Sequence, residues 1–560
     1  MTKELEWWEG GAGRRRVKVL PTSGADPKTS RVSKSFKNIS VVASLTMVSR
    51  VLGLARDMLV TAVFGTSALA SSFYTAFTLP NLFRRLLGEG ARTAAFVPTL
   101  HDELRDRERA GAFKLVNQVA SWLFVVTGGV VALAMAAMLQ AERLAAVAQR
   151  WGVAAATAQR WLQAADLAVV LFPYLVCVCL AAAFSAALQT LHRFLEPALS
   201  PIWLNLAMIA ALGGAAYAGW STTPEGRVLW LCGGALVGGF FQMAVPAGAL
   251  MREGWRPRFD LSSSDATRQI VRLMGPTVFG SAIYLINMAV SRFVGLSLND
   301  SAVTVLNLAT RLMELPIGVF AVAISTVIFP LISKYAAAGD WNNLATSYRK
   351  GMRLILVINI PAAVGLVVLA VPIVRLLFQR GAFHASDTSL MQPVLIVFAL
   401  GLPFFSFVNL VLRAFYARKD TATPVRAAML SFAVNLALSV ALMGPLGTVG
   451  LALASNIAIV AQAWYLQRHL ARGHAGLQFH HLARDLAKVV AASAAMGVVV
   501  AGGWWAWSHA LAATKLTDAL ALAGLISAGV ASYAALLWAL KIEGRDDLTA
   551  VLAKVRAKLT

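Results

Sequence analysis

Several arginines stand in or beside apolar stretches of the chain, where charged residues are rare. Arg50, Arg56, Arg84 and Arg85 lie in or at the ends of the first two stretches, and Arg311 lies inside a later one. A guanidinium keeps its charge in a protein and is costly to place in a bilayer, so it normally faces a wet cavity or a partner. Its planar fork binds phosphate oxygens with two hydrogen bonds at once. These arginines therefore predict a cavity for a phosphate or pyrophosphate group.

The charged residues beside these arginines fit a supporting or gating role. Arg85 and Glu89 have the i,i+4 spacing of a helical ion pair, which leaves Arg84, about 100° away, to contact a substrate. Glu314 shares a helix face with Arg311 at i,i+3. That pair fits a substrate site and a lock between two helices equally well.

The first apolar stretch carries two of the predicted cavity arginines. Arg50 and Arg56 are about 120° apart on a straight helix, and Gly53 between them permits a bend toward one cavity. Asp57 follows Arg56 directly. A local Arg56–Asp57 ion pair near the helix end is the alternative interpretation.

The elements that must position these residues are membrane-spanning helices. Of 560 residues, 58% are hydrophobic and 14% are charged. A span needs about 20 mostly apolar residues, and the chain supplies about fourteen such stretches. We therefore predict an all-α polytopic membrane protein, which excludes a soluble domain.

The net charge of +23 is distributed in a way that predicts topology and excludes a nucleic-acid surface. The basic segments all fall in loops on one side if the number of spans is even, while the opposite turns contain almost no Lys or Arg. The positive-inside rule places these basic loops and both termini in the cytoplasm.

An internal repeat predicts two lobes. Pro80 and Pro98 in the first half correspond to Pro316 and Pro330 in the second, and each pair stands beside charged residues. Repeats of this kind commonly support alternating access. The predicted division is a basic disordered tail over 1–36, an N-lobe of helices 1–6 over 37–260, a C-lobe of helices 7–12 over 261–470, helices 13–14 over 471–545, and a basic tail over 546–560.

Cofactor chemistry has no signal in the sequence. Cys177, Cys179 and Cys232 fall in apolar stretches, where packing is their usual role, and the histidines form no ligand set, so no metal site is predicted. The chain has no phosphate-binding glycine loop and no nucleophile motif. We predict that it is not an enzyme and uses no cofactor.

A short repeat in the loop before the fourth span predicts an interfacial helix. The segment ending in Arg150 and Trp151 recurs, ten residues later, ending in Arg160 and Trp161. Because Trp and Arg favour the headgroup zone, we expect both copies to lie on the membrane surface.

Seven short segments together carry a resemblance to a known family. They are residues 49–57 (SRVLGLARD), 79–85 (LPNLFRR), 89–91 (EGA), 95–98 (AFVP), 311–316 (RLMELP), 378–383 (FQRGAF) and 413–424 (RAFYARKDTATP). In these segments the chain resembles the MurJ (MviN) lipid II flippases, over about residues 38–540. Agreement at so many separate segments is specific.

The resemblance implies the multidrug/oligosaccharidyl-lipid/polysaccharide exporter fold, with fourteen helices in a bacterial inner membrane. It implies transfer of lipid II, the undecaprenyl-pyrophosphate-linked disaccharide-pentapeptide used in peptidoglycan synthesis, to the outer leaflet. The family's cavity arginines correspond to Arg50, Arg56, Arg84 and Arg311, expected to hold the pyrophosphate, with Glu314 beside them. It also implies a groove for the lipid tail on the last two helices.

The chain departs from the family pattern at two acidic positions. Ser71 stands where the family commonly has an Asp early in the second helix, and Thr310 stands where an Asp precedes the cavity arginine of the eighth. Both changes make the cavity more positive. They leave open a paralogue that transports another polyprenyl-linked oligosaccharide. A non-transporting scaffold that recruits cell-wall synthesis enzymes is a separate alternative.

Overall fold

The computed structural model describes residues 27–83, 95–318, 322–478, 480–510 and 514–541. These residues form eighteen α-helices and a 3₁₀ turn at Ala475–Leu477, with no β-strand among them. The predicted all-α class is confirmed.

The first nine helices carry the N-terminal part of the fold. They are α1 (Pro27–Phe64), α2 (Ala68–Phe83), α3 (Val97–Asp106), α4 (Glu108–Met138), α5 (Ala141–Arg150), α6 (Ala155–Leu171), α7 (Tyr174–Thr190), α8 (Leu195–Tyr217) and α9 (Pro224–Arg252).

The remaining nine helices carry the C-terminal part. They are α10 (Asp265–Leu298), α11 (Ala302–Pro316), α12 (Val322–Ala337), α13 (Trp341–Val368), α14 (Ala370–Phe378), α15 (Ala385–Ala417), α16 (Ala422–Gly473), α17 (His480–Ala510) and α18 (Lys515–Ala539).

Many of these helices suit a bilayer. Within the described ranges, eight are long and apolar enough to cross a membrane, and α6 with α7, bent by 46° at their junction, can supply a ninth crossing. Helix α16 runs for 52 residues but reverses its backbone conformation at Gly447, where φ is 55°. The chain is therefore a multi-pass membrane protein, while the count of fourteen spans stays a prediction.

Close helix contacts hold the N-terminal helices together, and small residues make them possible. A β-carbon at Gly238 of α9 would lie 2.8 Å from the α-carbon of Leu204 in α8, and one at Gly234 would lie 2.7 Å from the β-carbon of Ala211. Lipid gives helices no hydrophobic reason to associate, so such close backbone approach supplies much of the attraction.

The buried apolar side chains form several clusters. Helices α1, α2 and α6–α9 share one of them, and α12, α13, α15 and α16 share another. Helices α17 and α18 pack through a separate cluster onto α13. The boundaries of the two predicted lobes stay a prediction.

Candidate functional site

One buried carboxylate lies between two arginines from distant parts of the chain. Asp57 of α1 is 1% exposed, and its Oδ1 lies 2.8 Å from Nη2 of Arg56. Its Oδ2 lies 3.6 Å from Nε of Arg311 in α11. Two positive charges therefore share one negative charge, and the cluster keeps an excess of positive charge.

Helix α8 fixes the position of Arg56. Asn205 accepts a hydrogen bond from Arg56 Nη1 at 3.2 Å and donates through Nδ2 to the carbonyl oxygens of Ser49 and Pro201, at 3.3 and 3.0 Å. The Phe77 ring lies 5.8 Å from the guanidinium carbon. Arg56 is thereby held on three sides by protein groups.

The other two described arginines rest on glycines. The Arg311 guanidinium occupies the space beside Gly53 that a β-carbon would need, and the Arg50 guanidinium does the same at Gly318. Gly53 lies inside helix α1, and its missing β-carbon leaves room for Arg311. The Arg311 side chain is 32% exposed, and Arg50 is also partly exposed.

The predicted site residues are thus partly assembled. Arg56, Asp57 and Arg311 are in direct contact, and Arg50 reaches the end of α11 at Gly318. Glu314 is exposed and forms no ion pair with any residue that the structure describes. Three predicted members, Arg84, Arg85 and Glu89, lie outside the described residues.

Comparison with known proteins identifies the family. The family model for the lipid II flippase MurJ matches residues 60–521. The chain is 34% identical, over 501 residues, to a probable lipid II flippase MurJ from Rhizobium meliloti, which covers 89% of this chain and 92% of that protein. The chain belongs to the MurJ lipid II flippase family.

Solved structures agree with this assignment. A lipid II flippase MurJ in an inward closed conformation superimposes with a TM-score of 0.71 at 25% identity, covering 90% of this chain and 99% of that one. An inward-facing MATE-family multidrug transporter of the MOP superfamily matches with a TM-score of 0.59 at 15% identity, over 76% of this chain and 97% of its own. The second likeness shows the fold alone.

A second polar network in this MurJ-family chain joins α6 to the end of α10. Arg160 donates through Nε to the Leu296 carbonyl at 2.8 Å and through Nη2 to the Ser297 carbonyl at 3.1 Å. Its Nη1 lies 2.9 Å from Asp300. The side chain caps the last carbonyls of α10, where a positive charge also interacts favourably with the helix dipole.

Sequence reasoning missed this role for Arg160. The surface interpretation suits the first repeat copy, whose Trp151 is 87% exposed. It is wrong for the second copy, because Arg160 is buried and Trp161 donates to Ser297 Oγ at 3.0 Å. The repeat itself gives no signal that separates the two copies.

Ser71, one of the departures from the family pattern, belongs to this second network. Its hydroxyl donates to the Asp300 carbonyl at 2.5 Å and lies 3.0 Å from Thr304 Oγ1. Ser71 is fully buried between α2 and the start of α11. It therefore ties two helices together instead of facing Asp57.

The family segment at residues 378–383 forms a third contact, with the end of α1. The Ala382 amide donates to the Ala62 carbonyl at 2.8 Å, and Thr66 Oγ1 donates to Asp387 at 2.5 Å. Gly65 and Gly381 leave no room for a β-carbon against the facing carbonyls. We call this backbone contact, with Ala62, Gly65, Gly381 and Ala382, the α1 clasp.

The last two helices border an apolar groove. It lies between α13, α17 and α18, has a volume of about 660 Å³, and reaches Pro316 at the end of α11. Asp518 at the start of α18 is buried and receives two hydrogen bonds from Arg375 of α14, the one from Nε at 2.6 Å. This pair anchors α18 beside the groove.

Metal-binding side chains do not converge in this structure. No group of three or more His, Cys, Asp or Glu residues that could hold an ion occurs within the described ranges. Cys177, Cys179 and Cys232 form no disulfide with one another.

Proposed function

We propose that this chain is a lipid II flippase. It moves the undecaprenyl-pyrophosphate-linked disaccharide-pentapeptide from the inner to the outer leaflet of the bacterial inner membrane, and it acts as a transporter without enzymatic chemistry. Membership of the MurJ family supports lipid II as the cargo. The observation that carries the proposal is the excess positive charge of Arg56 and Arg311 around the carboxylate of Asp57, with Arg50 about two helical turns away on α1.

The arginines have different parts in this proposal. Arg56 is held by Asp57 and Asn205, so it chiefly supplies positive potential and supports the site. Arg50 and Arg311 are partly exposed and present guanidinium groups that can grip pyrophosphate oxygens bidentately. By correspondence with the family, Arg84 is a further member of the site. Glu314 acts beside Arg311 as a supporting acid.

Asp57 has a positioning role. A carboxylate between two guanidiniums screens their mutual repulsion when no substrate is bound, and it orients both of them. A bound pyrophosphate would compete for Arg311, whose ion pair with Asp57 is the longer one at 3.6 Å. Release of Arg311 toward the substrate is the step by which binding can alter the contact between α1 and α11.

The contacts away from the site support entry from the cytoplasm. The α1 clasp and the Ser71–Asp300 contact both lie at turns that the charge pattern assigns to the periplasmic side. These contacts join the two parts of the fold at that side. Both termini then lie in the cytoplasm, and outward release requires the contacts to open, as in rocking of two lobes around a midplane site.

The lipid tail has a candidate location in the groove between α13, α17 and α18. Its lining is apolar, and Pro316 connects it to the helix that carries Arg311. A tail in this groove and a pyrophosphate at Arg311 would therefore contact opposite sides of the end of α11. The proposal also includes cell-wall synthesis enzymes as expected partners that contact the surface of this protein.

Complementation of a bacterium depleted of its own lipid II flippase tests the proposal. We expect the parent chain to restore growth and Arg84→Ala and Arg311→Ala to fail, with membrane levels of all three proteins equal. Arg105→Ala is the matched control, because Arg105 is 73% exposed and remote from the site. Lipid II accessible at the outer surface, measured directly, separates transport from scaffolding.

Two results would contradict this proposal. Rescue by both arginine variants would indicate a scaffold that does not need the site. Failure of a well-inserted parent to rescue would point to another polyprenyl-linked oligosaccharide, which can be tested in strains that accumulate such lipids.

A further inference from the structure

A second apolar groove lies between α4 and α10, with α7 as its floor. Its volume is about 540 Å³. The apolar part of its lining includes Val119, Trp122 and Val126 of α4, Ala183 of α7, and Val271 and Met274 of α10. Trp122 and Val271 are exposed, so the groove opens sideways, toward the lipid that surrounds a multi-pass protein.

One end of this groove is polar and basic. Ser263, Thr267, Arg268 and Arg272 line it. Arg268 and Arg272 are four residues apart on α10 and therefore project from the same face. Their side chains meet the groove where the loop between α9 and α10 passes into the helix.

The two arginines are poorly matched by protein acids. Arg268 lies 3.6 Å from Asp265, and both side chains are largely exposed, so this pair binds weakly. Arg272 is exposed and forms no ion pair with any residue that the structure describes. The basic end of the groove thus keeps charge for an anionic ligand.

The position of the groove at the start of α10 suits the inner leaflet of a bilayer. The loop from Glu253 to Ser264 belongs to a basic segment that the charge pattern places in the cytoplasm. The basic end therefore lies at the level of the inner headgroups, and the apolar part extends into the hydrocarbon. A ligand that fits has a phosphate at one end and an acyl chain at the other.

We propose that this groove is a binding site for an anionic phospholipid of the inner leaflet. The phosphate contacts Arg268 and Arg272, and an acyl chain lies along Trp122 and Val126. The groove shares no lining residue with the cluster around Asp57. The proposal depends on the topology and is independent of lipid II transport.

The location gives such a lipid a structural consequence. Helices α4 and α7 belong to the predicted N-lobe and α10 to the predicted C-lobe, so a lipid in the groove contacts both. It fills the space between them on the cytoplasmic side. The bound lipid would therefore stabilise whichever arrangement of the two lobes keeps the groove open.

Photolabelling of the full-length protein tests the site. The purified chain is placed in phosphatidylcholine nanodiscs that contain a small fraction of a lipid with a photoactivatable acyl chain. This lipid is phosphatidylglycerol in one sample and phosphatidylcholine in the other, and labelled peptides are mapped by mass spectrometry. We expect phosphatidylglycerol to label α4 and α10 peptides about tenfold more than phosphatidylcholine does, because both arginines attract its negative charge.

Matched variants separate this site from general charge. Arg268→Gln with Arg272→Gln should reduce the phosphatidylglycerol label to the phosphatidylcholine level. Arg256→Gln with Arg258→Gln removes the same amount of charge from the loop just before α10. Neither residue lines the groove, and their backbone contacts with Asn117 are preserved. That control should keep the label.

A steric variant tests the acyl-chain position. Val271 is 69% exposed and lines the groove, so Val271→Trp fills the groove without disturbing the core and should remove the α4 label. Equal labelling by the two phospholipids, or a label kept in the Arg268/Arg272 double variant, would overturn the proposal. Displacement of the label by stoichiometric undecaprenyl pyrophosphate would also overturn it, because the groove would then hold the polyprenyl substrate.

Discussion

Arg160 and Arg311 both join distant helices, but their surroundings differ. The guanidinium of Arg160 has protein acceptors at Leu296, Ser297, Thr157 and Asp300, and the side chain is 9% exposed. Arg311 has one described ion-pair partner, at 3.6 Å, and its side chain is 32% exposed. An arginine whose donors are already used fastens the fold, whereas one with unused donors in an exposed position can bind a ligand.

Arg375 and Arg50 show the same difference. Arg375 contacts Asp518 through two nitrogens, and its guanidinium carbon lies 5.6 Å from the Trp504 ring. Arg50 lies against Gly318 and forms no ion pair with a described residue. Counting occupied donors therefore separates arginines that fasten the fold from those proposed to bind substrate, although all of them lie in or beside apolar segments.

The largest effect is expected at Asp57, where the two kinds of contact meet. Asp57→Ala leaves Arg56 and Arg311 without their carboxylate, and loss of one partner in a buried ion pair typically costs about 3–5 kcal/mol. We expect a matching fall in the free energy of unfolding, measured by denaturation in detergent. Asp57→Asn, which keeps the shape of the side chain, should have a free energy of unfolding between those of the parent and Asp57→Ala. An unchanged midpoint in both variants would mean that Asp57 does not hold these arginines.

Replacing Arg160 or Arg311 with glutamine should have opposite effects on stability and on transport. Arg160→Gln is expected to lower the free energy of unfolding by about 2–3 kcal/mol, because the end of α10 loses its cap, and to change lipid II transport per folded molecule by less than about twofold. Arg311→Gln is expected to abolish transport and change stability little. Thermal denaturation and transport in proteoliposomes measure both.

The repeat supplies the control for this exchange. Arg150 occupies the same repeat position as Arg160 but is exposed at the end of α5, so Arg150→Gln should leave stability and transport unchanged. If Arg160→Gln and Arg311→Gln had the same profile, donor occupancy would not distinguish the two roles.

The α1 clasp tests whether a contact without arginine can fasten the fold equally well. Gly381 has a φ of 58° and faces the Ala62 carbonyl, so Gly381→Ala combines backbone strain with a collision. We expect a loss of about 2 kcal/mol in stability, of which about 1 kcal/mol is strain. Gly339→Ala, at a φ of 68° with open space, has the strain alone. Equal losses in the two variants would show that the clasp contributes nothing.

Gly53→Ala tests the space on which Arg311 depends. The added methyl would displace the Arg311 guanidinium from α1, and we expect about a tenfold loss of transport, since small misplacement of a binding group costs about one order of magnitude or more. The fold should persist, because alanine favours a helix. Gly128→Ala, which meets open space, is the control. Normal transport in Gly53→Ala would remove Arg311 placement from the proposal.

The smallest effect concerns a carboxylate outside the membrane, in the family segment at residues 413–424. Burial would raise the pKa of Asp420, but hydrogen bonds from the Thr423 amide and hydroxyl outweigh it and lower the pKa. Because the pKa is lowered, the ionised carboxylate stabilises the fold above about pH 4, and this stabilisation is lost as the pH falls below that value. Asp420→Asn should cost about 0.5 kcal/mol at pH 7, and denaturation experiments should show this difference shrinking as the pH falls below about 4.

Local patterns in the sequence were enough for much of the architecture. Hydropathy and composition predicted an all-α membrane protein, and the alternative interpretation of Arg56 and Asp57, a local ion pair, is a contact that the structure contains. The seven family segments predicted the family. These features depend on neighbours within one or two helical turns, whose geometry any helix imposes.

Contacts between remote segments required the folded chain. Asn205 reaches Arg56 across 149 residues, and Arg160 reaches Leu296 across 136. No spacing in the sequence marks either pair. Gly53 shows the same limit, because the sequence indicates only that a bend is permitted there, whereas the fold places the Arg311 guanidinium beside it.

The sequence by itself determined which residue types the membrane segments carry, and hence the anionic class of ligand. Only the tertiary structure decided which arginines have their donors occupied by the protein and which have donors that no described residue occupies. The physical reason is that charge and hydropathy belong to each residue wherever it lies, whereas hydrogen-bond occupancy depends on the helices packed around it.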